Sequence, residues 1–173
     1  QAYHLLKTDY PELPPVRMHL HKMIPMGAGL GGGSADGAFA LRLLNEKYKL
    51  NIPTQDLIGY AAKLGSDCPF FIINQACYAT GRGEILNSIQ LNLSKYYFVL
   101  VNPGIHVNTK WAFEQITPAP SNKNLASILS EPIEEWRDLL VNDFEAPITK
   151  AYPAIGNIKN RLYQLGASYA AMS

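Results

Sequence analysis

The chain reads as an α/β protein of the two-layer, α+β kind, in which a mixed sheet is packed with helices. Three features predict this class. Apolar Val16, Met18 and Leu20 alternate with Arg17, His19 and His21, the two-residue period of a half-exposed strand. A glycine-rich turn then opens into a helical segment reaching Tyr48, and a second helical segment spans residues 54–64. Residues 96–101, Tyr-Tyr-Phe-Val-Leu-Val, have the aromatic and branched make-up of a buried strand.

Residues 2–8 have helical character, ended by the prolines of Tyr10-Pro11-Glu12-Leu13-Pro14-Pro15. Pro25 stops the strand over 16–21, and Ser34 or Asp36 is a candidate cap for the helix to Tyr48. Phe39, Leu43 and Leu44, with Ala40, supply its expected buried side. Thr54 is the candidate cap of the next helix, and Gly65 sits where a helix-ending glycine belongs. Ser66-Asp67-Cys68-Pro69 reads as the start of a brief apolar helix through Ile73.

Residues 76–80 and 84–89 flank Gly81-Arg82-Gly83 as a hairpin. After the turn Asn102-Pro103-Gly104, Val107-Asn108-Thr109 leads into a short helix carrying Trp111 and Phe113. Residues 118–122 read as a loop. Helical segments follow near 125–129, 133–141 and 153–165, with Gly166 ending the last, and 168–173 resembles the beginning of a strand.

With 173 residues, 47% hydrophobic and 17% charged, the composition is that of a folded globular chain. Fifteen basic against 14 acidic residues give a net charge of +1 without a basic block, so no nucleic-acid surface is expected. The longest apolar run falls far short of the roughly 18 residues that span a bilayer, and no membrane helix is expected. Two cysteines, Cys68 and Cys77, make neither a disulfide framework nor a metal knuckle, which suits a reducing cytoplasm. The first residues lack an initiator Met and a signal pattern and read like the middle of a helix.

The richest stretch is Pro25-Met26-Gly27-Ala28-Gly29-Leu30-Gly31-Gly32-Gly33-Ser34-Ala35-Asp36, with five glycines in twelve residues. One or two glycines would make an ordinary turn; five within seven positions carry an entropic cost that close approach of another group to the backbone would justify. A glycine run opening into a helix suits a phosphate, because unpaired N–H groups and the positive end of the helix dipole face it together. Gly27 to Gly32 formally satisfies the dinucleotide fingerprint G-x-G-x-x-G. The strand before it alternates instead of being fully apolar, however, and no second strand with an acidic end follows at the required distance. The lysine-bearing P-loop fails because no lysine follows the glycines.

Read with Asp9-Tyr10-Pro11, Lys22-Met23-Ile24-Pro25, Gly65-Ser66-Asp67-Cys68-Pro69-Phe70-Phe71 and Gly81-Arg82-Gly83-Glu84, this stretch resembles the second motif of the GHMP kinases. These are the galactokinase, homoserine, mevalonate and phosphomevalonate kinase group. The triple glycine resembles the branch acting on a cytidine-diphosphate methylerythritol in the non-mevalonate isoprenoid pathway. The resemblance runs along essentially the whole chain. It implies the GHMP kinase (ribosomal protein S5 domain 2-like) fold, with residues 1–101 from the N-terminal, ATP-binding domain and 102–173 from the C-terminal domain. It also implies transfer of the γ-phosphate of ATP, assisted by Mg2+, to a small-molecule hydroxyl, by a monomer or weak homodimer.

On the same resemblance, Lys22, Pro25, Met26, Gly27, Ala28, Gly29, Leu30, Gly31, Gly32, Gly33, Ser34 and Ala35 bind ATP. Ser34 is a candidate for the metal, compatible with a capping role. Asp67 matches the catalytic aspartate that orients or deprotonates the attacking hydroxyl; without the match it would read as an N-cap. Thr109 and Phe113 match positions that meet the cytidine end, the ring stacking on cytosine. His19 and His21 read as strand surface. Ala35 stands where many relatives have serine and Gly37 where they have alanine. The family's first-motif lysine has no counterpart, since neither His4 nor Lys7 matches it, and the third glycine-rich motif is also missing. The resemblance therefore implies a chain truncated at both ends. Another GHMP kinase activity, or a non-catalytic nucleotide-binding module, stays open as an alternative.

Overall fold

Four helices and a hairpin build the first part of the chain: α1 (Ala2–Asp9), α2 (Gly32–Lys47), α3 (Thr54–Leu64), α4 (Cys68–Ile73), β1 (Cys77–Thr80) and β2 (Ile85–Ser88). The computed structural model describes residues 1–24, 27–81, 83, 85–117 and 124–173. Pro25, Met26, Arg82, Glu84 and the loop expected over 118–122 lie outside them. The chain divides into two units, Gln1–Gln90 and Leu91–Ser173.

In the first unit, α1, α2, α3 and α4 share one apolar core. Leu6, Leu13 and Leu41 are fully buried at its centre, with Ala38, Leu44, Leu57, Ala61 and Ile72 around them. Lys7 donates its ammonium to the carbonyls of Pro11 (2.6 Å) and Leu13 (2.5 Å), folding the proline turn back so that Leu13 enters the core. Asn45 clamps the α2–α3 connection by bonding both the N–H and the carbonyl of Ile52. Tyr60 on α3 donates to the Asp9 carboxylate at 2.5 Å, tying the end of α1 to α3.

Four expectations are corrected here. Gly31, in the left-handed region at φ 63°, precedes α2, and no side chain caps it, so neither Ser34 nor Asp36 is the cap. The buried side of α2 is Ala38, Leu41 and Leu44; Phe39 and Leu43 are exposed. The phase is set by small Ala38 and Gly37, which let α3 and α4 approach: a Cβ at Gly37 would stand 3.3 Å from Leu64 Cδ1. Pro53, rather than Thr54, occupies the cap position of α3. Gly65 follows α3 in extended backbone at φ 171°, a conformation that does not require glycine.

β1 and β2 pair antiparallel in register Cys77↔Ser88 to Thr80↔Ile85, as the hairpin reading expects. They form the one sheet among the described residues. Residues 16–21 run without regular structure, with Met18 and Leu20 exposed. Alternation selects a face, but a strand also needs a neighbour to take its N–H and C=O groups, and no described segment pairs with this one. Residues 96–101 are corrected for the same reason: instead of a buried strand they form an exposed irregular stretch, Tyr97 being 99% accessible.

The second unit is helical: α5 (Thr109–Glu114), α6 (Leu125–Ile128), a 3-10 turn at Ile133–Glu135, α7 (Trp136–Leu139), α8 (Glu145–Ala151) and α9 (Pro153–Gln164). Asn108 and Asn124 cap α5 and α6 through their side chains. Gly166 leaves α9 at φ 93°, as its sequence position predicts. α8 is absent from the sequence reading; its Pro147 lies in the first turn, where the missing N–H costs no helical bond. Residues 168–173 form no strand. Side chains satisfy their backbone instead: Glu145 accepts the Met172 N–H at 2.7 Å, Asn142 donates to the Met172 carbonyl at 3.0 Å, and Tyr163 accepts the Ala170 N–H.

Candidate phosphate site and catalytic aspartate

The loop before α2 has φ of 75° at Gly27, 75° at Gly29 and 63° at Gly31, while Ala28 and Leu30 between them stay in the ordinary region. Alternation of hand along successive residues turns N–H groups toward one concavity, the form that backbone takes around anions. The first rung of α2 is Ala35 N–H to Gly31 carbonyl at 2.9 Å. The amides of Gly32, Gly33 and Ser34 therefore precede the helical ladder, with no side-chain cap over them. A cavity of about 220 Å3 opens at this point, lined by Lys22, Ile24 and residues 27–34. Ala35, expected with the rest of the loop, lies just beyond this lining, its N–H taken by the helix.

The triple glycine is three different positions. Gly31 needs a left-handed backbone, and a Cβ there would meet the Phe71 ring at 2.9 Å. Gly32 leaves room for Lys22, whose Nζ lies 3.1 Å from where its Cβ would be. A Cβ at Gly33 would meet no atom within 4 Å, so no described part of the protein accounts for its bareness. Lys22 forms an ion pair with Asp36, one turn into α2, which fixes its ammonium beside the helix start.

Phe71 meets this loop from α4. It lies on α4 four residues after Asp67, one helical turn along the same side, and its ring abuts Gly31. Asp67 occupies the N-cap position of α4, yet its side chain makes no capping bond. Its exposed carboxylate instead accepts from Ser66 Oγ at 3.1 Å and lies beside the hairpin turn, 3.6 Å from the position of a Cβ on Gly83. A carboxylate not spent on its own helix is available to an incoming hydroxyl.

Thr109 and Phe113 lie in the second unit, on α5. Thr109 is the first residue of that helix and is exposed. Phe113 is 61% accessible, and Phe144 supports its ring in a T-shaped contact with centroids 5.0 Å apart. Trp111 packs likewise on Tyr152. Phe71, Asp36 as the partner of Lys22, and Phe144 are contributions that the sequence reading does not assign. The four-residue spacings from Asp67 to Phe71 and from Gly32 to Asp36 are their only sequence signal. Among the described residues no three His, Cys, Asp or Glu side chains gather as a metal group, and no helix is long and apolar enough to cross a membrane.

Residues 1–75 match the family of GHMP kinases N terminal domains. Over its whole length the chain is 49% identical to a 4-diphosphocytidyl-2-C-methyl-D-erythritol kinase of Bacteroides fragilis, covering 63% of that protein. It is 46% identical to the enzyme of the same name from Parabacteroides distasonis, covering 64% of it. A crystal structure of 4-(cytidine 5'-diphospho)-2C-methyl-D-erythritol kinase superposes on 99% of the chain with a TM-score of 0.78 at 29% identity, the match covering 64% of that chain. The chain thus spans a little under two thirds of the length of these relatives. The chain shares the α/β fold of that kinase structure, and its residues 1–75 are similar to the N-terminal domain of the GHMP kinases.

Proposed function

We propose that the intact protein is an ATP-dependent kinase that phosphorylates the 2-hydroxyl of 4-diphosphocytidyl-2-C-methyl-D-erythritol. The observation that carries this reading is the backbone cradle, with three alternating left-handed glycines, an uncapped helix start and Lys22 around one cavity. The name shared by relatives 46–49% identical along the whole chain supports the choice of substrate.

In this reading the amides of Gly32, Gly33 and Ser34, with Lys22, hold the triphosphate. Asp67 orients the acceptor hydroxyl and takes its proton as the new P–O bond forms, and ADP leaves with the electrons of the broken β–γ bridge. Phosphoryl transfer depends on positioning and charge neutralisation; in this reading the cradle amides and Lys22 offset the phosphate charge and Asp67 positions the hydroxyl. Magnesium, when bound, would be held by the Ser34 hydroxyl together with the nucleotide, and would supply neutralisation of developing charge. Thr109 and Phe113 take the cytidine end, the exposed ring stacking on the base, which is worth ~1–3 kcal/mol. The protein acts in the cytoplasm as a monomer or weak homodimer, on a small molecule and not on nucleic acid or membrane. Division into domains at 101/102 belongs to the same proposal.

The test is ATP-dependent phosphorylation of that substrate by the full-length protein, followed by the same assay on Asp67→Asn. Turnover on mevalonate or homoserine in its place moves the protein elsewhere in the superfamily, and an Asp67→Asn variant as active as the wild type removes the base.

A further inference from the structure

We infer that Asp36 is a positioning residue for the phosphate cradle: it acts through Lys22, holding that ammonium against the start of α2 where ATP oxygens arrive. The inference rests on the proposed binding of ATP at this loop. Two independent observations point to it. The ion pair joins Lys22 to Asp36, and the Lys22 ammonium stands 3.1 Å from the space that a side chain at Gly32 would fill. Asp36 follows Gly32 by one turn, so both lie on the same face of α2, and the lysine is drawn down that face across the bare backbone of Gly32.

Stability does not explain the pair. The two side chains are 26% and 36% accessible, and an ion pair this open contributes little to folding. Without its partner, a lysine at the end of an irregular segment would sample many rotamers and would have to be ordered on ligand binding. An ammonium carries three donors. One directed at Asp36 leaves two for phosphate oxygens, so the carboxylate sets the direction of the charge without consuming it. Asp36 touches no ligand itself.

The test is a double-mutant cycle in the intact protein, read as KM for ATP and kcat, with Lys22→Met, Asp36→Ala, their combination and Asp36→Asn. Asp36→Ala is expected to raise KM for ATP about tenfold, the size of ordering one free lysine side chain on binding, with kcat little changed. The combination is expected to be no worse than Lys22→Met alone, because Asp36 has nothing left to position. Asp36→Asn keeps an oxygen for the ammonium and is expected to fall between wild type and Asp36→Ala. An unchanged or lowered KM in Asp36→Ala overturns the inference, as do fully additive effects. If Lys22→Met leaves KM unchanged, the placement of Lys22 at ATP fails and the role of Asp36 falls with it. If instead ATP is not a substrate of the wild type at all, the functional reading fails first. Thermal unfolding of each variant separates these outcomes from loss of fold, since a purely structural pair would lower the midpoint without a KM-specific effect.

Discussion

Replacing Gly33 by alanine sets stability against function at one atom. Gly33 is the second residue of α2, its φ is not left-handed, and an added Cβ has no neighbour within 4 Å. Alanine there removes the backbone-entropy penalty of glycine in a helix, a gain of roughly 0.5–1 kcal/mol. For a protein of 150–250 residues that corresponds to a rise in unfolding midpoint of about 2–4 °C per kcal/mol. The same methyl projects from a residue that lines the cavity, where a phosphate oxygen would come within about 2.9 Å of a backbone nitrogen. A displaced or lengthened hydrogen bond to a charged oxygen costs about 1.5–3 kcal/mol, so KM for ATP should rise at least tenfold. Calorimetric unfolding and ATP-dependent turnover of the same preparation read both numbers. A variant that is more stable and binds ATP as before would refute the cradle. One that is less stable would show that the space beside Gly33 is filled.

Gly31→Ala should fail differently, losing stability as well as activity. The left-handed backbone costs an alanine roughly 1–2 kcal/mol, and the Phe71 ring at 2.9 Å must move, which a urea titration would register as a lower midpoint. Glu145→Ala removes the acceptor that Lys159 and the Met172 N–H share, leaving a half-buried ammonium unpaired; a loss of about 3 kcal/mol is expected by denaturant unfolding. The Tyr60 hydroxyl, donating to Asp9, is pushed up to about 12 from 10, chiefly by that hydrogen bond and also by burial and the Asp9 charge. Because the folded state favours the neutral phenol, this contribution is complete below pH 10 and is lost as pH rises from 10 to 12. Ultraviolet titration should show one tyrosine fewer ionising late in Tyr60→Phe, and a late-ionising amplitude equal to that of the wild type would contradict the assignment.

Local chemistry made much of this legible from sequence. The glycine spacing identified the loop, Pro69 and Asp67 placed the start of α4, and Gly166 ended α9, because each is a backbone requirement met within a few residues. Helix phase and strand formation were not legible, since they depend on what stands opposite. Phe39 and Leu43 are as apolar as Leu41 and Leu44, and the small Gly37 and Ala38 decide which side packs. Residues 16–21 and 96–101 have strand composition without a described partner strand. At the site, resemblance alone proposes roles for Lys22 and Asp67, while the ion pair of Lys22 with Asp36 and the approach of Phe71 to Gly31 depend on helix faces that one sequence does not orient.

The exposed run at 96–101 bears on handling the chain in solution. Six consecutive aromatic and branched residues, uncharged and without proline or glycine, have the make-up of segments that stack into cross-β fibrils. Concentrating these 173 residues alone should favour self-association through this stretch, visible as thioflavin fluorescence that a lysine at Phe98 or Leu100 abolishes. Six residues outside the glycine-rich loop are thus expected to limit the solubility of these 173 residues.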